Sequence, residues 1–282
     1  MVGPTMHLEE GMLVTLFAGA LILSCLYGLT IGQTMFYYTT YTSDRIWIKV
    51  FVAALFLLDT AKMAATTCLI YHYTIQGRSR YGTFPLPASD TGVNVLRWTM
   101  VLISQCFYVH SLDALLRSRK KTARLVVVAL GLGAVLAGWS SYIGGVVEMY
   151  TESHGDSDGL MRILDSGVVQ QAVNVAADIY ITLAHIVILR GFKSSLIYKT
   201  SGLGSMLSSI IIYSATRGIL LVVIQLLEMT TFIVDSTNDT YSSSAVMLPQ
   251  SALYCNSVLA ALNVRKHIRR SNLHGPHEFQ LE

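Results

Sequence analysis

The sequence predicts an all-α polytopic membrane protein with seven transmembrane helices, an exoplasmic N-terminus and a cytoplasmic C-terminus. Three observations predict it: an apolar composition, seven long apolar stretches, and basic residues confined mainly to one side. Of 282 residues, 52% are hydrophobic and only 13% are charged. The mean hydropathy is +0.51. Soluble domains carry about 25% charged residues, so this composition excludes an ordinary soluble protein.

Seven apolar segments are long enough to span a bilayer, whose hydrocarbon core of about 30 Å needs about 20 residues of helix. Their polar residues do not alternate with period two, which favours helices over a β-barrel. The seven segments form one domain, 12–264, between an N-terminal stretch 1–11 and a basic tail 265–282. The predicted spans are 12–37, 46–75, 93–116, 125–147, 167–189, 205–234 and 244–264.

The basic residues predict the orientation. With seven spans, the loops "RSRKKTAR" (117–124) and "RGFKSSLIYK" (190–199) and the tail "RKHIRR" fall on one side, while "EMYTESHGDSDG" falls on the other. Cytoplasmic loops carry an excess of Lys and Arg. We therefore expect residues 1–11 and the 148–165 loop to be exoplasmic and the tail 265–282 to be cytoplasmic. The pattern does not distinguish a plasma membrane from an endomembrane.

Five polar residues lie at similar depth near the middle of their predicted spans: Asp59, Lys62, Asp178, Arg217 and Asn256. A charge at the centre of a membrane helix costs about 2.5–3.5 kcal/mol. Because residues three apart share a helix face, we expect Asp59 to pair with Lys62, and Arg217 to pair with Asp178 on the preceding helix. Such a layer is either a buried network that fixes helix packing or the lining of a polar cavity.

His110 and His185 fall at similar depth in the cytoplasmic halves of spans 3 and 5. Two histidines can form a proton relay or a metal pair, but hydrogen-bonded packing histidines are more common, and no third ligand matches them. The four cysteines lie within spans and form no CxxC. The sequence therefore predicts no metal site and no cofactor.

Three further features concern packing. Gly28 and Gly32 form a GxxxG in span 1, which is typical of close helix packing. Pro249 is expected to kink span 7 and release a backbone carbonyl near the midplane. Asp113 ends span 3 just before the basic loop, so we expect it to pair with that loop.

Several motifs resemble one family of membrane proteins. They are "YGLTIGQTMFYYTTYTSDRIWIKV", "LLDT", "AADIYIT" and "LPQSALYCNSVLAALNVRKHIR". Together they resemble the fungal, chiefly basidiomycete, seven-span proteins grouped as domain of unknown function 6534. The resemblance implies the fold, the membrane location and a cytoplasmic-side motif, but no activity. Its motif residues here are Gln33, Asp44, Asn263 and Arg265, whereas Lys62 and Arg217 depart from the family pattern.

The leading functional hypothesis is a receptor-like protein or sensor with a polar intramembrane cavity. The alternatives are a membrane enzyme, such as a cyclase or lipid-modifying protein with Asp59 or Asp178 as general acid, and a small-solute transporter or channel. No known catalytic motif appears, and span 7 has no Lys for a retinal Schiff base. The expected partners are the lipid bilayer, a small-molecule or lipid ligand, and a cytoplasmic protein at the basic loops, but no nucleic acid.

Overall fold

The computed structural model describes residues 4–76, 88–118, 121–151, 157–196, 201–238, 240 and 242–273. Within these residues all regular structure is helical. The seven α-helices are α1 (Pro4–Thr40), α2 (Ile46–Tyr71), α3 (Ala88–Leu115), α4 (Lys121–Thr151), α5 (Ser157–Leu196), α6 (Ser201–Asn238) and α7 (Ser243–Leu273).

Each predicted span coincides with one of these helices. Two spans end in a different helical form: a π-helical turn, His72–Gln76, follows α2, and a 3-10 turn, Leu116–Ser118, follows α3. The last helix continues to Leu273, so the first part of the predicted tail 265–282 is helical. The short polar end of the chain, 275–282, is predicted from its sequence to be disordered, and it lies outside the described residues.

Among the described residues, five of the seven helices contain stretches that are long and apolar enough to cross a membrane. These stretches are Gly11–Thr40, Lys121–Gly144, Gly167–Gly191, Ala215–Asn238 and Ser243–Arg265. The other two helices carry charged residues in their middle parts, namely Asp59 and Lys62 in α2 and Arg97 in α3. The helices therefore indicate a membrane-embedded protein with several spans.

The bundle is closed by its first and last helices, since α1 packs most extensively against α7. Gly19 permits this close approach, because a Cβ atom there would lie 2.9 Å from the backbone oxygen of Ser244. In the middle of the bundle, α3 contacts α2, α4, α5 and α7. At its end, Asp113 accepts two hydrogen bonds from Arg124, at 2.6 and 2.8 Å, which confirms the expected pairing with the basic loop.

The polarity of the bundle is the reverse of that of a soluble protein. Large apolar side chains such as Trp47, Leu125 and Val187 are among the most exposed, at 79%, 69% and 67%. Polar side chains instead occupy buried helix faces. On α5 they recur at helical spacing and are all buried: Gln171, Asn174, Asp178, Thr182 and His185. An apolar exterior around a polar interior suits hydrocarbon as the surrounding solvent.

Candidate functional site

The buried face of α7 organises the polar interior. Gln250, Ser251, Tyr254 and Ser257 lie at helical spacing on one side of this helix, and the first three are almost completely buried. At about 1.5 Å per residue they cover about 10 Å of depth. Each of the four contacts a charged side chain from another helix, so α7 connects polar groups contributed by α2, α3, α5 and α6.

Gln250, the first of the four along α7, contacts an ion pair between α3 and α6. Arg97 Nη1 donates to Glu228 Oε1, and both side chains are buried. The same nitrogen lies 3.2 Å from Gln250 Oε1, and the guanidinium carbon lies 4.4 Å from the centre of the Trp98 ring. Sequence reasoning missed this pair because it considered only residues near the midplane. The sequence did carry a signal, because a charged residue within a predicted span is itself unusual, and both residues lie within such spans.

At the same level of α7, Lys62 of α2 reaches across to this helix. Its Nζ donates to the backbone oxygen of Leu248 and to Ser251 Oγ. Lys62 and Asp59 are both completely buried. No described group donates a hydrogen bond to either Asp59 oxygen, and no described ion pair joins Asp59 to Lys62. The expected pair within α2 was therefore wrong, because two oxygens on α7 draw the Lys62 amine away from its helix neighbour.

Asp59 lies beside Thr30 of α1, whose Oγ1 also lies 3.2 Å from the Leu26 backbone oxygen, an acceptor for its one hydrogen. Asn256 of α7 joins them from the other side. Its Nδ2 lies 3.1 Å from Thr30 Oγ1 and 3.0 Å from the Leu26 oxygen. The Asn256 Oδ1 atom is buried and has no donor among the described residues. The meeting point of α1, α2 and α7 is therefore rich in hydrogen-bond acceptors.

The carboxylate of Asp178 on α5 is satisfied by two uncharged donors. Tyr254 Oη donates to Oδ2, and Gln105 Nε2 lies 3.2 Å from Oδ1. The sequence predicted Arg217 in this role. Arg217 is close enough for its charge to act on Asp178, but the hydrogen bonds come from α7 and α3. Neither donor was predicted, because a Tyr and a Gln in apolar segments carry no distinctive signal.

Arg217 lies one level further along α7. Its Nε lies 3.2 Å from Ser257 Oγ, and its guanidinium lies over the Tyr108 ring. His185 approaches the edge of the same ring, with 6.0 Å between ring centres. An aromatic face and a hydroxyl thus take up the Arg217 charge.

The two predicted histidines are placed differently. His185 is buried, and its Nδ1 lies 2.8 Å from the Ile181 backbone oxygen one turn earlier. His110 is exposed on the outer face of α3. The structure does not bring them together as a relay or a metal pair. Across the described part of the chain, no three His, Cys, Asp or Glu side chains converge on a metal position.

The four motif residues assemble where the end of α1 meets the end of α7. Arg265 Nη2 lies 2.7 Å from Asp44 Oδ2, and Tyr37 Oη donates to the same oxygen at 3.0 Å. Asn263 Nδ2 donates to the Gln33 backbone oxygen at 2.9 Å. We call these five residues the α1–α7 end cluster. The cluster links positions more than 200 residues apart and anchors the last helix to the first.

A groove of about 410 Å³ runs along the outside of the same two helices, lined by residues that include Gly28, Gly32, Phe36 and Ala260. A Cβ atom added at Gly28 or Gly32 would meet no other atom within 4 Å. The GxxxG motif therefore does not serve close packing within this chain, contrary to expectation. It keeps one side of the α1–α7 contact open.

Comparison with known proteins identifies one family. Residues 174–267 match the model of a family of unknown function, DUF6534. The match begins at Asn174 in α5, includes α6 and most of α7, and contains Asp178, Arg217, Asn256 and Arg265. No curated protein and no solved structure matches the chain. The match supports the resemblance to domain of unknown function 6534 over residues 174–267, which contain the motifs of the last three helices.

Proposed function

We propose that this protein is a receptor-like membrane sensor with seven spans, an exoplasmic N-terminus and a cytoplasmic C-terminus. In this proposal α7 couples a polar intramembrane cavity to the cytoplasmic face. One observation carries it: a single helix holds the contacts to the buried charged residues and also the end cluster. Any change in the cavity therefore acts on the element that anchors the opposite end of the bundle.

The interior is polar beyond what packing alone needs. Several buried atoms have no hydrogen-bond partner among the described residues, including both oxygens of Asp59, Arg97 Nε, Ser104 Oγ, Gln225 Oε1 and Gln250 Nε2. Each such atom costs about 1–3 kcal/mol when it is left unsatisfied. A network that served only to fix helix packing would satisfy these groups internally. Water or a polar ligand between α2, α3, α6 and α7 would satisfy them instead.

The proposed mechanism uses Pro249 as the hinge. Proline removes one backbone hydrogen bond and commonly kinks a helix, and Pro249 lies next to Gln250 and Ser251, which contact Arg97 and Lys62. A ligand that displaces these contacts would shift the part of α7 beyond the proline. The shift would strain the Asp44–Arg265 contact and change what the basic cytoplasmic loops present to a protein partner.

The topology is tested with epitope tags in sealed, right-side-out membranes. We expect a tag inserted between Thr151 and Ser157, within the predicted 148–165 loop, to be cleaved by added protease and a C-terminal tag to be protected. Glycosylation at the Asn238-Asp239-Thr240 sequon, after Asn238→Gln as control, gives a second readout of the exoplasmic side. Protection of the loop tag together with cleavage of the C-terminal tag contradicts the orientation.

The coupling is tested by spin labels at Thr39→Cys and Val264→Cys after the native cysteines are replaced by alanine. Lys62→Met, which removes an interior contact to α7, should broaden the distance distribution between the labels. The matched control is Lys121→Met, since Lys121 is an exposed lysine at the start of α4. Equal distance distributions in the two variants would show that α7 does not transmit the change.

One observation favours a second candidate, a small-solute transporter. Buried basic side chains contact α7 at two levels, Arg97 and Lys62 at one and Arg217 about two turns further along, as expected of a polar path. Uptake of labelled solutes into proteoliposomes distinguishes the two functions. A transporter gives flux that Lys62→Met abolishes, whereas a sensor gives the change in label distance without flux.

A further inference from the structure

We propose that the meeting point of α1, α2 and α7 is a binding site for a monovalent hard cation such as Na⁺. The ligands would be the two carboxylate oxygens of Asp59, Asn256 Oδ1 and Thr30 Oγ1. This inference names a ligand class for the interior described above and therefore rests on the proposed polar cavity. The experiment below distinguishes a failure of the cation site from a failure of the proposed sensor.

The first argument is an excess of acceptors over donors. Asp59 is completely buried and Asn256 is 7% exposed, yet neither Asp59 oxygen nor Asn256 Oδ1 has a donor among the described residues. The neighbouring Thr30 hydroxyl has one hydrogen, and its Oγ1 lies 3.2 Å from the Leu26 oxygen, which can accept it. The Asn256 amide nitrogen is committed to Leu26, Thr30 and Ala252 oxygens at 2.9–3.1 Å. The two Asp59 oxygens and Asn256 Oδ1 therefore lack a well-placed donor among the described residues.

The second argument is orientation. The three contacts of Nδ2 identify the nitrogen of the Asn256 amide, because each of them ends on an oxygen that can accept a hydrogen bond. A flipped amide would place its oxygen against two backbone carbonyls. Oδ1 is therefore the atom that remains without a partner beside Thr30, on the helix opposite Asp59.

The chemistry of the ligands selects the ion. Carboxylate, amide and hydroxyl oxygens bind hard cations, whereas soft or transition metals prefer sulfur and imidazole. A single carboxylate offers one negative charge, which suits a monovalent ion better than a divalent one. Water is able to complete the coordination, since the surrounding interior is polar.

Lys62 opposes this cation. Its ammonium group has the same charge and lies one turn from Asp59, although Leu248 and Ser251 hold it on the α7 side. The other ionisable groups that act on Lys62 are Arg97 of α3, Glu228 of α6 and Cys255 of α7. Arg97 and Glu228 neutralise each other as a pair, so Lys62 is the main repulsive charge. The cation should bind weakly to the wild type and more tightly after Lys62→Met.

The experiment measures the thermal unfolding of the purified full-length protein in detergent against increasing NaCl, with choline chloride added to hold the ionic strength constant. We expect a Tm that rises and saturates with Na⁺. In Lys62→Met the Na⁺ concentration for half of the effect should fall about tenfold, since about 1.4 kcal/mol of removed repulsion corresponds to that factor. Asp59→Asn should abolish the effect in either background.

Asp113→Asn is the matched control, because it removes the same charge from a partly exposed surface pair on α3. It should leave the Na⁺ effect unchanged. If Asp59→Asn does not fold, Asn256→Leu should weaken the effect instead. Equal Tm values in NaCl and choline chloride for both the wild type and Lys62→Met overturn the proposal. A Na⁺ effect that survives Asp59→Asn also overturns it. A response of the α1 and α7 labels to Lys62→Met without any Na⁺ effect would reject the cation site and retain the proposed sensor.

Discussion

Two sets of buried charges, Arg97 with Glu228 and Asp59 with Lys62, each contain one acid and one base. Their formal charges cancel in both sets, but only the first set forms an ion pair within the described part of the chain. Arg97 and Glu228 come from different helices and close on each other. Asp59 and Lys62 are neighbours on one helix, but Lys62 turns to α7 and the Asp59 oxygens have no donor among the described residues. Formal neutrality therefore does not establish pairing. What decides it is which oxygens the cation can reach.

The difference separates a pair with a structural role from a carboxylate that is able to bind a ligand. A buried pair whose partners satisfy each other is a packing element, and removing one partner is costly because the other charge is left uncompensated. A carboxylate that stays without a donor is instead a place where something else can bind. The comparison thus indicates a structural role for the α3–α6 pair and agrees with the ligand site proposed around Asp59.

The largest expected effect comes from breaking the satisfied pair. Arg97→Met leaves Glu228 buried without its cation and should lower the free energy of unfolding by about 3–5 kcal/mol. The double variant Arg97→Met with Glu228→Gln should recover most of this loss. Thermal unfolding in detergent measures both. If the two single losses simply add in the double variant, the residues are not coupled and the comparison fails.

Lys62→Met should come next, with a loss of about 3 kcal/mol, because two hydrogen bonds from a charged donor to α7 disappear. The loss should be smaller in NaCl than in choline chloride, since the cation then compensates Asp59. The same variant of Lys121, which is exposed, controls for removal of a lysine. An equal loss in both salts would show that Na⁺ does not compensate Asp59, so that this region would not differ from the α3–α6 pair.

Tyr254→Phe should cost about 1.5 kcal/mol, since one hydrogen bond to a charged carboxylate is lost while Gln105 remains on the other oxygen. A double-mutant cycle with Asp178→Asn should show stronger coupling for Tyr254 than for Arg217. Stronger coupling for Arg217 than for Tyr254 would support the direct pair between Asp178 and Arg217 that the sequence predicted.

The smallest effect belongs to the surface pairs, which allow a matched comparison. The Arg265–Asp44 pair has side-chain exposures of 38% and 22%, and the Arg124–Asp113 pair has 37% and 21%. Such pairs contribute about 0.2–1 kcal/mol each. Asp44→Asn should cost slightly more than Asp113→Asn, because Asp44 also accepts from Tyr37. Equal losses would mean that the end cluster adds nothing to an ordinary surface pair.

The helices themselves were predictable, because their signal is local. Each predicted span falls within a helical segment, since apolar length alone identifies such segments. The four residues that the resemblance singled out, Gln33, Asp44, Asn263 and Arg265, do meet at one end of the bundle through their side chains or backbones. A resemblance over several motifs carries this long-range information, which composition does not.

The partners inside the bundle were not predictable in the same way. Spacing along one helix suggested that Asp59 pairs with Lys62, but the reach of a lysine side chain to Leu248 depends on how closely α2 approaches α7. Glu228 and Arg97 were overlooked because depth was judged from the centre of each span. The donors to Asp178 are a Tyr and a Gln, which carry no charge to mark them in the sequence.

Because α7 is the last helix to be synthesised, its buried contacts form late during translation. Lys62 and its acceptor Leu248 are 186 residues apart, and ribosomes add about 5–20 residues per second, so Lys62 waits on the order of 10–40 s for its partner during synthesis. Arg97 likewise waits for Glu228, 131 residues later. In the proposed seven-span topology, the nascent chain therefore carries Lys62 in the bilayer without its partner until the last helix is made. We expect biogenesis to need water or an insertion factor beside α2 and α3 until translation is complete.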